Sequence, residues 1–460
     1  VYSISLFIMN ISGYNLFTPL LGNIKNWYSH IDRIKKIGFE WVYINPITYP
    51  GFSGSLYATK DYYKYNPAFF TSSEKNIAEK EIKYFTQYCK KNNIKLMIDL
   101  VINHSSKDCN LVEEHFDWYK LKDGELVSPG AWDNGKWIEW GDLASFNNEK
   151  IILNKNNEEI ENPIWNYWRE LIKHNLELGF SGFRCDAAYK IPKELWSYLI
   201  NNAKKYNKDI IFFAESLGCS LEDTKDLIEA GFDYVASSAK WWDYESEWFI
   251  EQYDLARKNC KQIAFPSNHD TERLITEYNG NIWKLKQTFL FTAIVSDMWM
   301  ITLGDEYGFY KRCDVVGGKE KDFEKISFDL SDYIKDMTGY IKKNHILSNC
   351  GKIVSLDILE NIEKKKEKEL KTENNDNNEN NHIEENNKED IEEIKNPLKR
   401  FYKYSLDEKE RVFIVVNTAD KNEKLDVKKF NIQEDISFDN IVEIKETIEI
   451  APYQLKIFRV

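Results

Sequence analysis

The stretch WNYWRELIKHNLELGFSGFRCDAA, Trp165–Ala188, decides the fold. Its first part, Trp165–Leu178, places apolar residues at helical spacing and stops at Gly179, a residue suited to the left-handed helix cap. The second part, GFRCD, is a short apolar run that ends in charge. The same unit recurs on both sides. Ile24–Lys36 runs to Gly38 and then WVYIN (Trp41–Asn45), and Ala78–Lys91 precedes IKLMIDLVI (Ile94–Ile102). Pro192–Ala203 precedes IIFFAE, Leu221–Ala230 runs through Gly231 to FDYVA, Trp248–Asn259 leads to QIAFP, and Trp283–Ser296 leads to MWMIT (Met298–Thr302). With Ser3–Met9 as the first strand, eight strands alternate with helices. Strands that are apolar on both faces and separated by helices make a parallel sheet covered by helices. Eight such units over about 300 residues predict a closed (β/α)8 TIM barrel, whose chemistry sits at the carboxyl ends of the strands.

Two regions break the rhythm. After the third strand, residues of about 103–163 show no clear helix and are rich in Trp, Gly and Asn. A loop of that length in a compact domain is usually functional, and it is expected to form a subdomain over the rim. Beyond about residue 345 the pattern changes to period two: IVSLDIL, RFYKYSL, RVFIVVNT, IVEI and ETIEIAPYQLKIFRV read as strands of a C-terminal antiparallel β-domain, sandwich-like. The expected division is thus a catalytic barrel over 1–345, carrying the rim subdomain, and a β-domain over 346–460. Within the latter, about Glu360–Lys395 is a low-complexity, charge-dense insertion, expected to be disordered or loosely helical.

Composition narrows the function. Hydrophobic residues make up 42%, enough for a large core, and the net charge is −13. That balance argues against nucleic acid or an anionic membrane as partner, since both require a basic face. The seven cysteines are scattered without a C-x-x-C pair, which suggests neither a disulfide framework nor zinc and favours a reducing, cytoplasmic location. No run of about 20 apolar residues could span a bilayer. The start, VYSISLFIMN, lacks a basic region and a cleavage site and reads as a strand rather than a signal peptide. The chain opens on Val rather than Met, which leaves room for an upstream piece.

The chemistry lies in four segments: DLVINH (Asp99–His104), GFRCDAA (Gly182–Ala188), FFAES (Phe212–Ser216) and FPSNHD (Phe265–Asp270). Asp186, Glu215 and Asp270 each fall at the end of a predicted strand. Alternation points Arg184 and Asp186 the same way, and a guanidinium beside a carboxylate compensates its charge, as a nucleophile requires; a plain structural ion pair explains the two equally well. Glu215 follows an apolar run with Phe212 and Phe213, a setting that raises a carboxyl's pKa and suits a proton donor, although a solvent-facing strand end would read the same. Asp270 could stabilise positive charge on a sugar or cap a helix beginning at TERLITEY. Asn103, His104 and His269 fall at rim positions. Asp186 and Glu215 belong to neighbouring strands, and Asp270 lies two units on, across the barrel mouth. Three acids around one rim provide a nucleophile, an acid and a stabiliser for glycosidic-bond chemistry.

These four segments resemble the signature regions of glycoside hydrolase family 13, the α-amylase family. The resemblance implies Asp186 as nucleophile, Glu215 as acid/base and Asp270 as transition-state stabiliser, with Arg184, His104 and His269 binding the reacting sugar and Asp99 supporting the first motif. Tyr57, in GSLYATKDYY, matches the family's stacking tyrosine, Asp61 its DY element, and LGDEYG (Leu303–Gly308) the turn after the last strand. Many amylases follow the nucleophile with Ala-Ala-Lys-His, whereas this chain has Ala187-Ala188-Tyr189-Lys190. That departure bears on calcium: no cofactor is required, and Asn103 alone matches a calcium ligand. GSLYATKDYYKYNP, FFAESLGCSLEDT and SSAKWWDYE are similar to a subgroup related to maltosyl-transferring enzymes, in which Lys240, Trp241 and Trp242 would shape an acceptor site. The implied activity is retaining cleavage of α-glucans or maltooligosaccharides, with glycosyl or maltosyl transfer by the same triad as the alternative. Two rivals are weaker. A non-catalytic barrel acting as a binding subunit would have lost acids that this chain keeps. A phosphosugar barrel would carry a glycine-rich cradle where this chain has SNHDTER.

Overall fold

The computed structural model describes residues 11–376 and 396–460, apart from positions 73, 134, 155 and 157. Eight parallel strands close a barrel: β1 (Ile11–Asn15), β2 (Trp41–Ile44), β3 (Lys95–Leu100), β4 (Gly182–Cys185), β5 (Ile211–Ala214), β6 (Tyr234–Ala236), β7 (Lys261–Ala264) and β8 (Met298–Thr302). β1 pairs with both β2 and β8 and so completes the circle. The first strand is therefore Ile11–Asn15, and the expected Ser3–Met9 lies outside the described residues. ISGYN is less apolar than the run before it, but its Asn15 is fully buried and finds partners on β2 and beyond.

Helices α1 (Trp27–Ile37), α2 (Lys75–Lys91), α3 (Ile164–Leu178), α4 (Lys193–Tyr206), α5 (Leu221–Ala230), α6 (Glu247–Asn259) and α7 (Ile282–Ile294) cover the barrel. α3 ends where Gly179 turns left-handed at φ 102°; a Cβ there would also meet Thr86 Oγ1 at 2.5 Å. Strand alternation sends one set of side chains inward. Trp41, Met97, Phe213, Tyr234, Ile263, Met298 and Met300 pack into an apolar plug in the lumen. Gly182 admits this plug, because a Cβ would lie 3.1 Å from the Trp41 ring. Above the plug, the next inward positions are polar, and these form the site.

The excursion after β3 folds into short pairings, including Gly130–Asp133 with Lys136–Glu139, and His104–Ser106 with Leu143–Ser145, together with a one-turn helix at Asn110–Glu114. Helix α8 (Ser331–Lys343) follows the barrel. The C-terminal region holds β9 (Ile353–Ser355), helix α9 (Leu356–Asp376), β10 (Leu398–Tyr404), β11 (Arg411–Asn417), β12 (Glu423–Asp426), β13 (Glu434–Asp435), β14 (Thr447–Ile450) and β15 (Leu455–Arg459). An antiparallel sheet ordered β9-β10-β11-β15-β13 faces the pair β12-β14 across a core that includes Phe413, Leu425, Ile450 and Phe458. Two strand expectations fail here. IVSLDIL is extended only to Ser355 and then turns helical, where Asp357 takes the Arg400 guanidinium at 2.6 Å. IVEI (Ile441–Ile444) is irregular, and the pairing partner of β14 is β12 instead. Residues 377–395 of the low-complexity insertion lie outside the described residues.

Candidate active site

Strand register sets the first contact. β3 and β4 place Asp99 and Arg184 side by side, both pointing into the lumen. Arg184 Nη1 donates to Asp99 Oδ1 at 2.9 Å, to Oδ2 at 3.1 Å and to Asp186 Oδ1 at 2.7 Å. Asp99 Oδ2 also accepts the hydroxyls of Tyr43 at 2.5 Å and Tyr57 at 2.6 Å. Burial pushes the Asp99 carboxyl up, and Arg184 pulls it back. Two O–H donors and a guanidinium on one carboxylate fix it as the anion. Burial likewise opposes the charge on Arg184, but Asp99 and its neighbours hold that guanidinium well above its usual range.

The same bonds fix the proton positions around the rim. Tyr57 gives its own hydrogen to Asp99, so its oxygen accepts from Asn45 Nδ2 at 3.0 Å and from His269 Nε2 at 2.6 Å. His269 therefore carries its proton on Nε2, which also lies 3.2 Å from Asp270 Oδ2. The Asn103 carboxamide nitrogen can only donate, and it sits 3.2 Å from His104 Nδ1, so the His104 proton is on Nε2 as well. Burial pushes both imidazoles down, which keeps them neutral. His104 Nε2 is buried and has no partner. An unmet buried donor costs about 1–3 kcal/mol, which a ligand hydroxyl would relieve.

Glu215 sits at the end of β5, beside that of Asp186. Ala187 adopts a left-handed conformation, φ 42° and ψ 45°, at a cost of about 1–2 kcal/mol for a residue with a Cβ. Its N–H donates to Glu215 Oε2, 3.0 Å away, and Leu217 N–H binds Oε1 at 3.0 Å. The carboxyl of Glu215 is thus tied to the residue next to Asp186. Burial pushes it up to about 7; Arg184 works against this rise, and Asp186 adds to it. Asp270 is half-exposed. Asn268 Oδ1 accepts the N–H groups of Asp270 and Thr271 at 2.9 and 3.0 Å, so Asn268, and not Asp270, makes the capping turn. That leaves the Asp270 carboxylate free to face the cleft. Glu215 and Asp270 line an open cleft of about 600 Å³, walled by Leu217, Cys219, Trp241 and Trp248.

The structure therefore gathers Asp186, Glu215, Asp270, Arg184, Asp99, His104, His269 and Tyr57 at one end of the barrel, and Trp241 beside them. Two expected residues stand apart. Lys240 is held by Glu277 at 2.8 Å, and its ammonium is spent there. Trp242 is buried and stacks on Phe249 at 4.5 Å, so it is core rather than acceptor surface. Asn103 orients His104. Among the described residues no group of three or more His, Cys, Asp or Glu gathers to hold a metal ion.

Sequence reasoning missed the layer beneath. Tyr43 and Asn45, at the end of β2, and Asn15, at the end of β1, form a chain of hydrogen bonds under Asp99 and Tyr57: Asn15 Nδ2 to Asn45 Oδ1 at 3.0 Å, and Asn45 Nδ2 to Tyr43 OH at 3.2 Å. Polar residues closing an apolar strand were the available signal. Lys190 was also missed: it donates to Gly130 O at 2.8 Å and lies 5.3 Å over the Trp140 ring, tying the rim excursion to the site. The LGDEYG turn is structural. Asp305 takes the Ser267 hydroxyl at 2.7 Å and Arg273 at 3.1 Å, which fixes the loop bearing Asp270.

A model of the glycogen debranching enzyme glucanotransferase domain matches residues 5–122. The α-1,4-glucan:maltose-1-phosphate maltosyltransferase of Burkholderia pseudomallei (strain K96243) is 22% identical over 73% of this chain and 29% of its own length. The maltogenic α-amylase of Bacillus acidopullulyticus is 23% identical over 72% of this chain and 58% of its own. The chain thus spans well under two thirds of these curated relatives. Among solved structures, an α-amylase from Lactobacillus plantarum superposes with a TM-score of 0.70 at 16% identity, covering 99% of both chains. A maltogenic α-amylase from Thermotoga neapolitana gives 0.65 at 17%, over 98% of this chain and 96% of that one. With its barrel and its C-terminal antiparallel sheet, the chain shares the fold of these α-amylase structures, and its sequence is similar to those of a maltosyltransferase and a maltogenic α-amylase.

Proposed function

We propose that the chain is a retaining α-glucan-active glycoside hydrolase. The observation that carries the reading is the pairing at the ends of β4 and β5: a carboxylate, Asp186, in contact with Arg184, beside a carboxyl, Glu215, that burial holds protonated to about pH 7. In the first step an oxygen of Asp186 forms a bond to the anomeric carbon as the glycosidic C–O bond breaks, and Glu215 delivers its proton to the leaving oxygen. In the second step Glu215, now the base, takes a proton from water, whose oxygen bonds to the same carbon and expels Asp186. Asp270 faces the cationic ring of both transition states, and the Nε2–H of His104, which has no protein partner, meets a sugar hydroxyl, while His269 holds Tyr57 in place. Asp99 touches no substrate in this scheme; it positions Arg184 and Tyr57.

A specific observation favours a second reading, transfer to a sugar acceptor. The cleft beside Glu215, where leaving group and acceptor would sit, is mostly apolar and carries Trp241 and Trp248, exposed at 48% and 41%. Such walls discourage water and offer rings on which a sugar can stack. The relatives named above include both a maltosyltransferase and an amylase. Product analysis on maltooligosaccharides, with and without inorganic phosphate, separates the readings. Hydrolysis gives new reducing ends whose first-formed anomer is α, whereas transfer redistributes chain lengths. A β anomer formed first would overturn the retaining scheme.

A further inference from the structure

A second groove lies away from the cleft, where the first turns of α7 meet the β14–β15 turn, α8 and the segment before β14. Its volume is about 230 Å³, and its walls are largely apolar. Trp283 is 62% exposed there. Lys286 Nζ sits 4.9 Å from the Trp283 ring centroid and 4.7 Å from that of Tyr333. Tyr453 occupies the third position of the turn Ala451–Gln454, closed by Gln454 N–H to Ala451 O at 3.1 Å, with φ 53°. That position ordinarily takes Gly or Asn, so an aromatic residue there is held at a cost on the order of 1 kcal/mol or more. Folding alone gives no reason for a tyrosine, yet its side chain helps line the groove. Two polar groups are left open beside these rings. The Asp439 carboxylate makes no ion pair among the described residues. Gln454 spends its Oε1 on Ala451 N–H at 3.1 Å, and its NH2 makes no hydrogen bond among the described residues.

Flat apolar faces flanked by a carboxylate, a carboxamide and an ammonium match a sugar, whose ring presents C–H faces and a hydroxyl edge. An apolar peptide would leave Asp439 unpaired, and nucleic acid would be repelled by it. The loop that carries Asp270 leads through a one-turn helix, Leu274–Glu277, to the start of α7, so Trp283, on the first turn of that helix, lies at the end of the barrel where the strands' carboxyl ends and the cleft open. The geometry points to a second glucan-binding site, formed by Trp283, Tyr333, Tyr453, Lys286, Asp439 and Gln454, that holds a distant part of an α-glucan chain on the catalytic side of the barrel. This inference rests on the α-glucan reading for the identity of its ligand.

The test uses the full chain carrying Asp186→Asn, so that turnover does not consume the probe. Calorimetric titration with maltotriose is expected to show two binding events per chain. Adding Trp283→Ala should weaken one of them roughly tenfold, the worth of one stacked ring, and leave the other unchanged. Asp439→Asn, which keeps shape and removes charge, should weaken the same event and guards against a folding artefact of the tryptophan change. A single binding event, or two events that neither substitution alters, overturns the inference. Failure of the catalytic reading would show separately, as absence of turnover of maltooligosaccharides by the unsubstituted chain.

Discussion

Two buried ion pairs in this molecule look alike and behave as opposites. At the barrel rim, Arg184 and Asp99 are 2.9 Å apart with their side chains 5% and 0% exposed. In the C-terminal sheet, Lys456 and Asp435 are 2.8 Å apart and both 0% exposed. The second network is closed. Asp435 also accepts Ser437 N–H at 2.9 Å, Val442 N–H at 2.8 Å and the Ser437 hydroxyl, and Lys456 donates further to Asn440 O. The first network has loose ends: the unpartnered Nε2 of His104, the half-exposed carboxylate of Asp270, and a Glu215 carboxyl poised near neutrality. A buried charge whose partners are all supplied holds a fold together. One whose network reaches the surface incomplete is prepared for a ligand.

That contrast predicts a separation of effects. Asp186→Asn should lower kcat on the order of 10⁴-fold while substrate still binds and the melting temperature barely moves, measured by steady-state kinetics beside calorimetric binding. Retained turnover in that variant would remove the mechanism. Lys456→Met should do the reverse. It strands Asp435 in the sheet and should cost about 3–5 kcal/mol of stability, with kcat/KM unchanged in the fraction that remains folded. If Lys456→Met instead lowered activity without unfolding the chain, the division between closed and open networks would fail.

Tyr57 tests the open network from within. Its hydroxyl donates to Asp99 and accepts from His269 and Asn45, so Tyr57→Phe withdraws one donor from a buried carboxylate and one acceptor from a neutral imidazole. The expected loss in kcat/KM is roughly 10–100-fold, consistent with a hydrogen bond to a charged group. A purely structural tyrosine would lower the melting temperature and leave kinetics at 25 °C intact.

How much of this was legible follows from what each residue answers to. The acids at 186, 215 and 270 could be placed because strand ends and face alternation are local properties, readable over five residues. Arg184 and Asp186 on one face followed from the same period. The layer under them was not legible: Asn15, Asn45 and Tyr43 matter only because the barrel closes β1 against β2 and turns both toward Asp99, which Tyr43 meets across 56 residues of chain. β1 itself was displaced because hydropathy favours ISLFIM over ISGYN, although Asn15 and Tyr14 find their partners only in the closed barrel. LDIL after Ser355 alternates like a strand, but the helix-forming, charged run that follows carries it into α9. Trp241 and Trp242, adjacent in sequence, were indistinguishable until packing buried one and exposed the other.

The smallest expected effect is the one that bears most directly on Glu215. Its carboxyl is raised to about 7 in the folded chain from an ordinary value of 4.5, mainly by burial. Between those pH values the folded form holds a proton that the unfolded form has released, so this group's contribution to stability is complete below about pH 4.5 and is lost as pH rises through 7. Glu215→Gln keeps the neutral shape at every pH. It gives up one of the two N–H bonds that the carboxyl accepts, since a carboxamide has a single oxygen, and so should be slightly less stable than the parent at pH 4.5. At pH 8 the parent carries a buried charge that the variant lacks, a difference on the order of 2 kcal/mol in the variant's favour. The melting temperature of Glu215→Gln relative to the parent should therefore climb between pH 4.5 and 8, and the fall in the parent's kcat/KM above about pH 7 should have no counterpart in the variant's residual activity. A difference in melting temperature that stays flat across that range would mean that Glu215 is already ionised at pH 5, and so is not the proton donor.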